Sequence, residues 1–187
     1  MTMTDKTDEE IARRVQEGDI ESFGLLVSRY EAKITRYAGK FLLNNEDAKD
    51  LAQEVFIKAY VNMQSFDASR KFSPWLYRIA HNEFINAIRK RSRMPALSFD
   101  FDAIFPHPIA RETADSETNR RDLKETLDKY LDKLDAKYRE PLVLYYFEEM
   151  SYQEISEILE IPMSTVGVRL QRGKAALKKI INKNDGI

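Results

Sequence analysis

Cysteine is absent from the 187 residues. That excludes disulfides, thiolate nucleophiles and Cys-based metal sites, and makes a cytoplasmic home the default expectation. Histidine is nearly absent: His81 and His107 lack HExxH spacing and have no convergent carboxylates, so no metal site is expected. Glycine-rich phosphate loops and a GxSxG elbow are missing as well, so no enzyme activity, cofactor or small-molecule substrate is expected. No apolar run approaches the length of a membrane span, and the opening MTMTDKTDEE is unlike a signal peptide. With 6 Gly and 6 Pro against 33% charged and 43% hydrophobic residues, the balance is that of a helix-rich soluble chain of one or two domains.

Charge is present but segregated. The net value of −1 combines an acidic stretch between Asp5 and Glu21 with a basic cluster at Arg89-Lys90-Arg91 and Arg93 and another from Arg169 onward. A near-neutral total argues against indiscriminate polyanion binding, while two separated basic clusters leave room for DNA contact at two places. Solvated faces carry such runs too, so charge counts only together with motifs.

The most informative stretch is 151–179, SYQEISEILEIPMSTVGVRLQRGKAALKK. Ser151 and Glu154 fit a capping box, and Ile155, Ile158 and Leu159 give the helix that follows an apolar face. Glu160-Ile161-Pro162 interrupts the pattern, because Pro162 lacks a backbone N–H and biases Ile161 away from helix. Val166, Leu170 and Leu177 then resume it among basic residues. A short acidic helix, a turn and a basic helix match the helix-turn-helix, whose second helix enters the major groove. An ordinary helical hairpin would share these features, so the rest of the chain has to decide.

The preceding chain also reads as helices. A short one over 8–17 ends at Gly18, and from Ile20 the positions Phe23, Val27, Tyr30, Ile34, Tyr37 and Phe41 describe a long amphipathic helix broken at Asn44-Asn45. In 46–66, Ala48, Leu51, Ala52, Val55, Phe56, Ala59 and Tyr60 form the apolar face. Asp47, Asp50, Gln53 and Glu54, with Ile57 beside them, form the opposite one. That acidic stripe suits either solvation or docking on a basic protein surface; no pocket accompanies it for acid–base chemistry. After a loop at 66–72, Ser73-Pro74 is expected to cap and open the next helix. Trp75 belongs to its inner side, and Arg78, Asn82, Asn86, Arg89 and Arg93 share an outer stripe. Arg and Asn hydrogen-bond base edges and Arg grips phosphate, with Tyr77 and His81 placed to stack; a solvated face would look the same. Periodicity fails over 94–119, and helices return from about Arg120 through Leu123, Leu127, Tyr130, Leu131 and Leu134. Asp135 should cap another helix, in which Pro141 causes a kink or a delayed start.

Three of these stretches together resemble one family, the bacterial RNA polymerase sigma factors of the extracytoplasmic-function (ECF) class. EDAKDLAQEVFIKAY (46–60) is similar to the acidic helix of sigma region two, and FDASRKFSPWLYRIAHNEFINAIRKR (66–91) to the pattern that follows it. LDAKYREPLVLYYFEEMSYQEISEILEIPMSTVGVRLQRGKAALKK (134–179) resembles region four. The resemblance implies an all-α protein of two small helical domains: a region-two bundle at 1–93, a flexible linker at 94–119 and a helix-turn-helix domain at 120–187. It further implies a dissociable specificity subunit that binds core polymerase, recognises the −10 and −35 promoter elements and promotes melting. Asp47, Asp50, Gln53, Glu54 and Ile57 would meet the β′ clamp helices, and region four the β flap. Phe66, Asp67, Ser69, Arg70 and Lys71 in the loop, with Arg78, His81, Asn82, Asn86 and Arg89, would contact −10 DNA. Capture of an extruded base there would offset part of the unstacking cost. Ser164, Thr165, Val168, Arg169, Arg172 and Lys174 would face −35 DNA. An anti-sigma factor, able to hold the protein at the membrane without its own insertion, is a further implied partner.

Two departures stand out. Gly167-Val168 replaces the family's basic and hydroxyl residues, and Gly173 replaces Ala; each glycine is expected to weaken the helix by about 1 kcal/mol. Regions one and three of larger sigma factors and a C-terminal sensory domain are not expected. Two other readings use the same residues: a repressor or activator acting without polymerase, which would need a dimerisation element not visible here, and a protein-binding helical adaptor. Dependence on core polymerase and salt-sensitive DNA binding separate the three.

Overall fold

The computed structural model describes residues 6–41, 45–92 and 127–184, and the chain divides into two compact units, Met1–Leu97 and Ser98–Ile187. The linker expected at 94–119, the expected helix start near Arg120 and the side chain of Arg89 lie outside the described residues. All regular structure among the described residues is helical.

The first unit begins with α1, Asp8–Gln16. Its N-terminus is closed by a capping box, in which Thr7 Oγ accepts from the Glu10 N–H (3.2 Å) and Glu10 accepts from the Thr7 N–H (2.9 Å). Asp8, Glu9 and Glu10 in the first turn and Arg13 and Arg14 in the last complement the helix dipole. Gly18 lets the chain leave, at φ 103°, a conformation that side chains rarely adopt. A single 3-10 turn at Ile20–Ser22, capped by Asp19, leads into α2, Phe23–Gly39. Asn45, expected to interrupt, instead opens α3, Asn45–Val61. The 3-10 turn Met63–Ser65 and a loop follow, then α4, Phe72–Ser92.

The apolar spacing makes each helix one-sided, and the faces meet in one core. Leu26, Tyr30, Ile34 and Tyr37 of α2 are buried with Leu51, Val55 and Phe56 of α3 and Phe72, Leu76, Tyr77 and Phe84 of α4. Ile11, Ala12 and Val15 bring α1 onto α2 and α4. Lys58 and Glu83, 2.7 Å apart, tie α3 to α4. Two expectations need correction. Tyr60 is not on the buried face but 40% exposed, its ring tilted against that of Phe23, the first residue of α2, with centroids 5.3 Å apart. Ser73 is not the cap of α4: the helix starts at Phe72, two residues before Pro74, and the Phe72 N–H donates to Glu9 of α1. Pro74 still falls among the first turn's donors, where no intrahelical partner is lost.

In the second unit, residues 127–130 are helical and pass through a 3-10 turn, Leu131–Lys133. Asp135 caps α5, Ala136–Tyr146, accepting from the Lys137 N–H at 3.1 Å. Pro141 sits inside α5 without delaying its start. Then come α6, Tyr152–Leu159, and α7, Met163–Asn184. Leu127, Leu142, Val143, Tyr146, Ile155, Ile158, Val166, Leu170 and Leu177 build the core. Gly173 does not act as a flaw in α7. A Cβ there would lie 2.7 Å from Leu142 Cδ1 and 3.4 Å from Tyr138 Cβ, so a side chain at this position would have to displace Leu142 where α7 packs on α5.

Candidate nucleic-acid interface

The outer face of α3 is built by periodicity. With Ala48, Leu51, Ala52, Val55, Phe56 and Ala59 turned to the core, Asp50, Gln53, Glu54 and Ile57 are left exposed along one stripe. Asp47 begins the stripe half-buried. Ile57 is 57% exposed, and one turn on, Val61 is 72% exposed. Val61 continues the i, i+4 line from Ile57, a signal already present in the sequence. Beside the stripe runs a groove of about 630 Å³ between α2 and α3, where apolar Val27, Ala32, Ala52, Phe56 and Ile57 are joined by Thr35, Gln53 and the charged Glu31 and Lys49. Exposed branched apolar side chains flanked by carboxylates suit a docking face for a basic helical partner.

The 66–72 loop is shaped at its base by aromatic packing. Phe66, assigned from the sequence to DNA contact, is only 4% exposed, its ring 5.4 Å from Phe72 and 5.1 Å from Trp75. Its side chain closes the loop; it does not line the surface. The exposed tip is a tight turn in which the Arg70 N–H donates to the Asp67 carbonyl at 2.9 Å. Asp67 Oδ1 accepts from both the Ser69 N–H (2.9 Å) and Ser69 Oγ (2.7 Å). These bonds, that of the Ser69 hydroxyl first, hold the Asp67 carboxyl below its ordinary pKa. Asp67, Ser69, Arg70 and Lys71 are thus presented outward together.

The loop runs directly into α4, where Arg78, Asn82 and Asn86 are exposed and His81 is half-buried. Their four-residue spacing makes a continuous strip of donors able to meet phosphates and base edges. Tyr77 does not join them. It is 1% exposed and packs edge-on against Tyr37, 5.4 Å away, so it belongs to the core and not to a stacking surface.

In the second unit the capping box of α6 forms as its sequence indicates: Glu154 accepts from the Ser151 N–H at 2.8 Å and Ser151 Oγ from the Glu154 N–H. Glu160 ends the helix in the left-handed region at φ 54°. Ser156 Oγ donates to the Ile161 carbonyl at 2.6 Å, and the Pro162 carbonyl accepts from Thr165 and Val166, opening α7. Ser164 and Arg172 are exposed, and Thr165 and Arg169 half-buried. Val168, expected at the DNA face, is 9% exposed and sits among buried neighbours of α7. Lys174 leans over the Tyr146 ring, 5.8 Å from its centroid. Met163, absent from the sequence-based assignments, is 57% exposed in the first turn of α7.

One unit thus presents an acidic stripe, a loop with a polar tip and a strip of exposed Arg and Asn, and the other a helix-turn-helix. Residues 26–94 match the Sigma-70 region 2 family model and residues 124–177 the Sigma-70 region 4 model. The chain is 40% identical over 176 residues to the ECF RNA polymerase sigma factor SigW of Bacillus subtilis, covering 89% of this chain and 92% of that one. It is 34% identical over 185 residues to the RNA polymerase sigma-H factor of Pseudomonas aeruginosa, covering 96% of each. Among solved structures, CnrH in complex with the cytosolic domain of CnrY aligns over 95% of this chain and 99% of that one, at TM-score 0.71 and 25% identity. The chain belongs to the ECF sigma factors, the class of polymerase subunits that specify promoters. Among the described residues no group of side chains could hold a metal, and no helix is long and apolar enough to cross a membrane.

Proposed function

We propose that the first unit of this sigma factor divides polymerase and −10 contact between two faces, and that the second unit reads the −35 element. Asp50, Gln53, Glu54 and Ile57, with Asp47 at the edge, take the β′ clamp helices; the adjoining groove and Val61 extend that contact. Asp67, Ser69, Arg70 and Lys71 at the loop tip bind a base extruded from the −10 element, and Arg78, His81, Asn82, Asn86 and Arg89 grip the neighbouring strand. Met163, Ser164, Thr165, Arg169, Arg172 and Lys174 face the −35 major groove, with region four resting on the β flap. Strand opening then follows from binding alone: unstacking is offset by capture of the extruded base, with no covalent step and no catalytic site in this chain. The protein works in the cytoplasm. An anti-sigma factor regulates it by covering its polymerase-binding surfaces, in keeping with the second protein bound to the structural neighbour described above.

The observation that carries this reading is the α3 stripe, where apolar Ile57 is exposed in line with Asp50, Gln53 and Glu54. Run-off transcription with purified core polymerase on a random promoter library tests it. Specific start sites are expected only when the protein is present. Ile57→Asp, which leaves the core of the domain untouched, should abolish them together with polymerase binding. Start sites that survive Ile57→Asp would move the docking face elsewhere.

A further inference from the structure

The loop that carries Asp67–Lys71 is held at both ends by α1, an element outside both matched regions. Gln16, in the last turn of α1, donates from Nε2 to the carbonyl oxygens of Met63 (2.9 Å) and Phe66 (2.7 Å). Gln64 Nε2 returns a bond to the Gln16 carbonyl at 3.0 Å. At the far end of the loop, the Phe72 N–H donates to Glu9 Oε1 at 2.9 Å. Glu9 and Gln16 lie two turns apart on α1, so one helix face serves both ends of the loop.

The helix making these bonds is itself anchored. Ile11, Ala12 and Val15 are buried, and Asp8 pairs with Arg29 and accepts from the Tyr30 hydroxyl. At the loop tip, Asp67, Ser69, Arg70 and Lys71 are exposed, and Asp67 and Ser69 bond to each other within the turn. A loop left to order itself on contact would lose conformational entropy with every residue fixed. Pinning its ends beforehand takes that loss out of the binding step.

We infer that Gln16 and Glu9 are positioning residues for promoter recognition: α1 braces the 66–72 loop so that its tip is already shaped for the extruded nucleotide. This rests on the assignment of the loop tip to −10 contact, and the experiment separates the two. Full-length variants are assembled with core polymerase. Their affinity is measured for the single-stranded −10 sequence that the wild-type holoenzyme selects from the random library, and for the same strand with the captured base replaced. Gln16→Leu is expected to weaken binding of the selected strand about tenfold, a part of what two lost hydrogen bonds can transmit. It should also shrink the preference over the replaced base. Gln16→Lys, which restores a donor, should recover most of both. Glu9→Ala should weaken binding, whereas Glu9→Gln, which keeps an acceptor for the Phe72 N–H, should not.

Core-polymerase affinity of each variant is read in parallel. If Gln16→Leu lowers it in proportion to strand binding, the effect is general loss of folding and the brace is overturned. If base preference is untouched by Gln16→Leu yet lost in Arg70→Ala, the brace alone is overturned. If Arg70→Ala and Asp67→Ala also change nothing, the assignment of the loop tip falls, and the brace with it.

Discussion

At the scale of single residues, Gly173 shows how a side chain that is absent can be a packing requirement. By helix propensity alone, Gly173→Ala should gain about 1 kcal/mol. The new Cβ would stand 2.7 Å from Leu142 Cδ1, and Leu142 is fully buried, so it must move against a filled core. Overpacking of this kind costs about 1–3 kcal/mol. Gly173→Ala is therefore expected to lower the melting temperature of the second unit, and adding Leu142→Val should return part of the loss. A melting temperature at or above wild type would contradict the close packing of α5 and α7. Asp67 poses a question of charge. Its carboxyl is held below the ordinary value of 3.8 by the Ser69 hydroxyl and N–H. A group with a depressed folded pKa stabilises above its unfolded pKa, and the contribution disappears as pH falls through the folded one. The turn should stay formed at neutral pH and loosen only in acid. The Ser69 amide resonance is expected to titrate with a midpoint below 3.8, and a midpoint above it would remove the bond from the account.

At the scale of elements, each helix end has its own local cause. The Thr7–Glu10 and Ser151–Glu154 boxes, the Asp135 cap and the left-handed residues at Gly18 and Glu160 all satisfy donors or acceptors that a helix end leaves open. Ser151→Ala removes the reciprocal cap of α6 and is expected to cost about 1 kcal/mol, read by denaturant unfolding of the second unit. Because α6 positions the turn into α7, −35 binding should weaken with it while −10 strand binding stays constant. Elements with such local signals were legible before the structure: α6, α7 and the Asp135 cap follow from Ser, Asp and Pro at set offsets. Where the cause lies in another element, local sequence does not carry it. Ser73 looked like the cap of α4, but Glu9 takes the Phe72 N–H from 63 residues away. Phe66 and Tyr77 looked like surface residues beside a polar stripe, but aromatic neighbours from other elements bury both.

At the scale of the whole molecule, two helical units carry separate surfaces, and the class of protein was legible because three motifs occur in order along one chain. Apolar spacing of three and four residues dictates helices and selects their inner faces, whatever those faces meet. The charge pattern likewise dictates that α3 is acidic outside and α7 basic, since neither depends on a distant partner. Legible from the sequence by itself, then, were the helical class, the helix-turn-helix and the outer stripes of α3 and α4. Tertiary structure alone decided which aromatic rings leave the surface, what a side chain at Gly173 would meet and which element holds the 66–72 loop. Those outcomes depend on side chains of different elements meeting, from Phe66 on nearby Phe72 and Trp75 to Glu9 on distant Phe72, and such meetings are set by packing in three dimensions, which local spacing does not record.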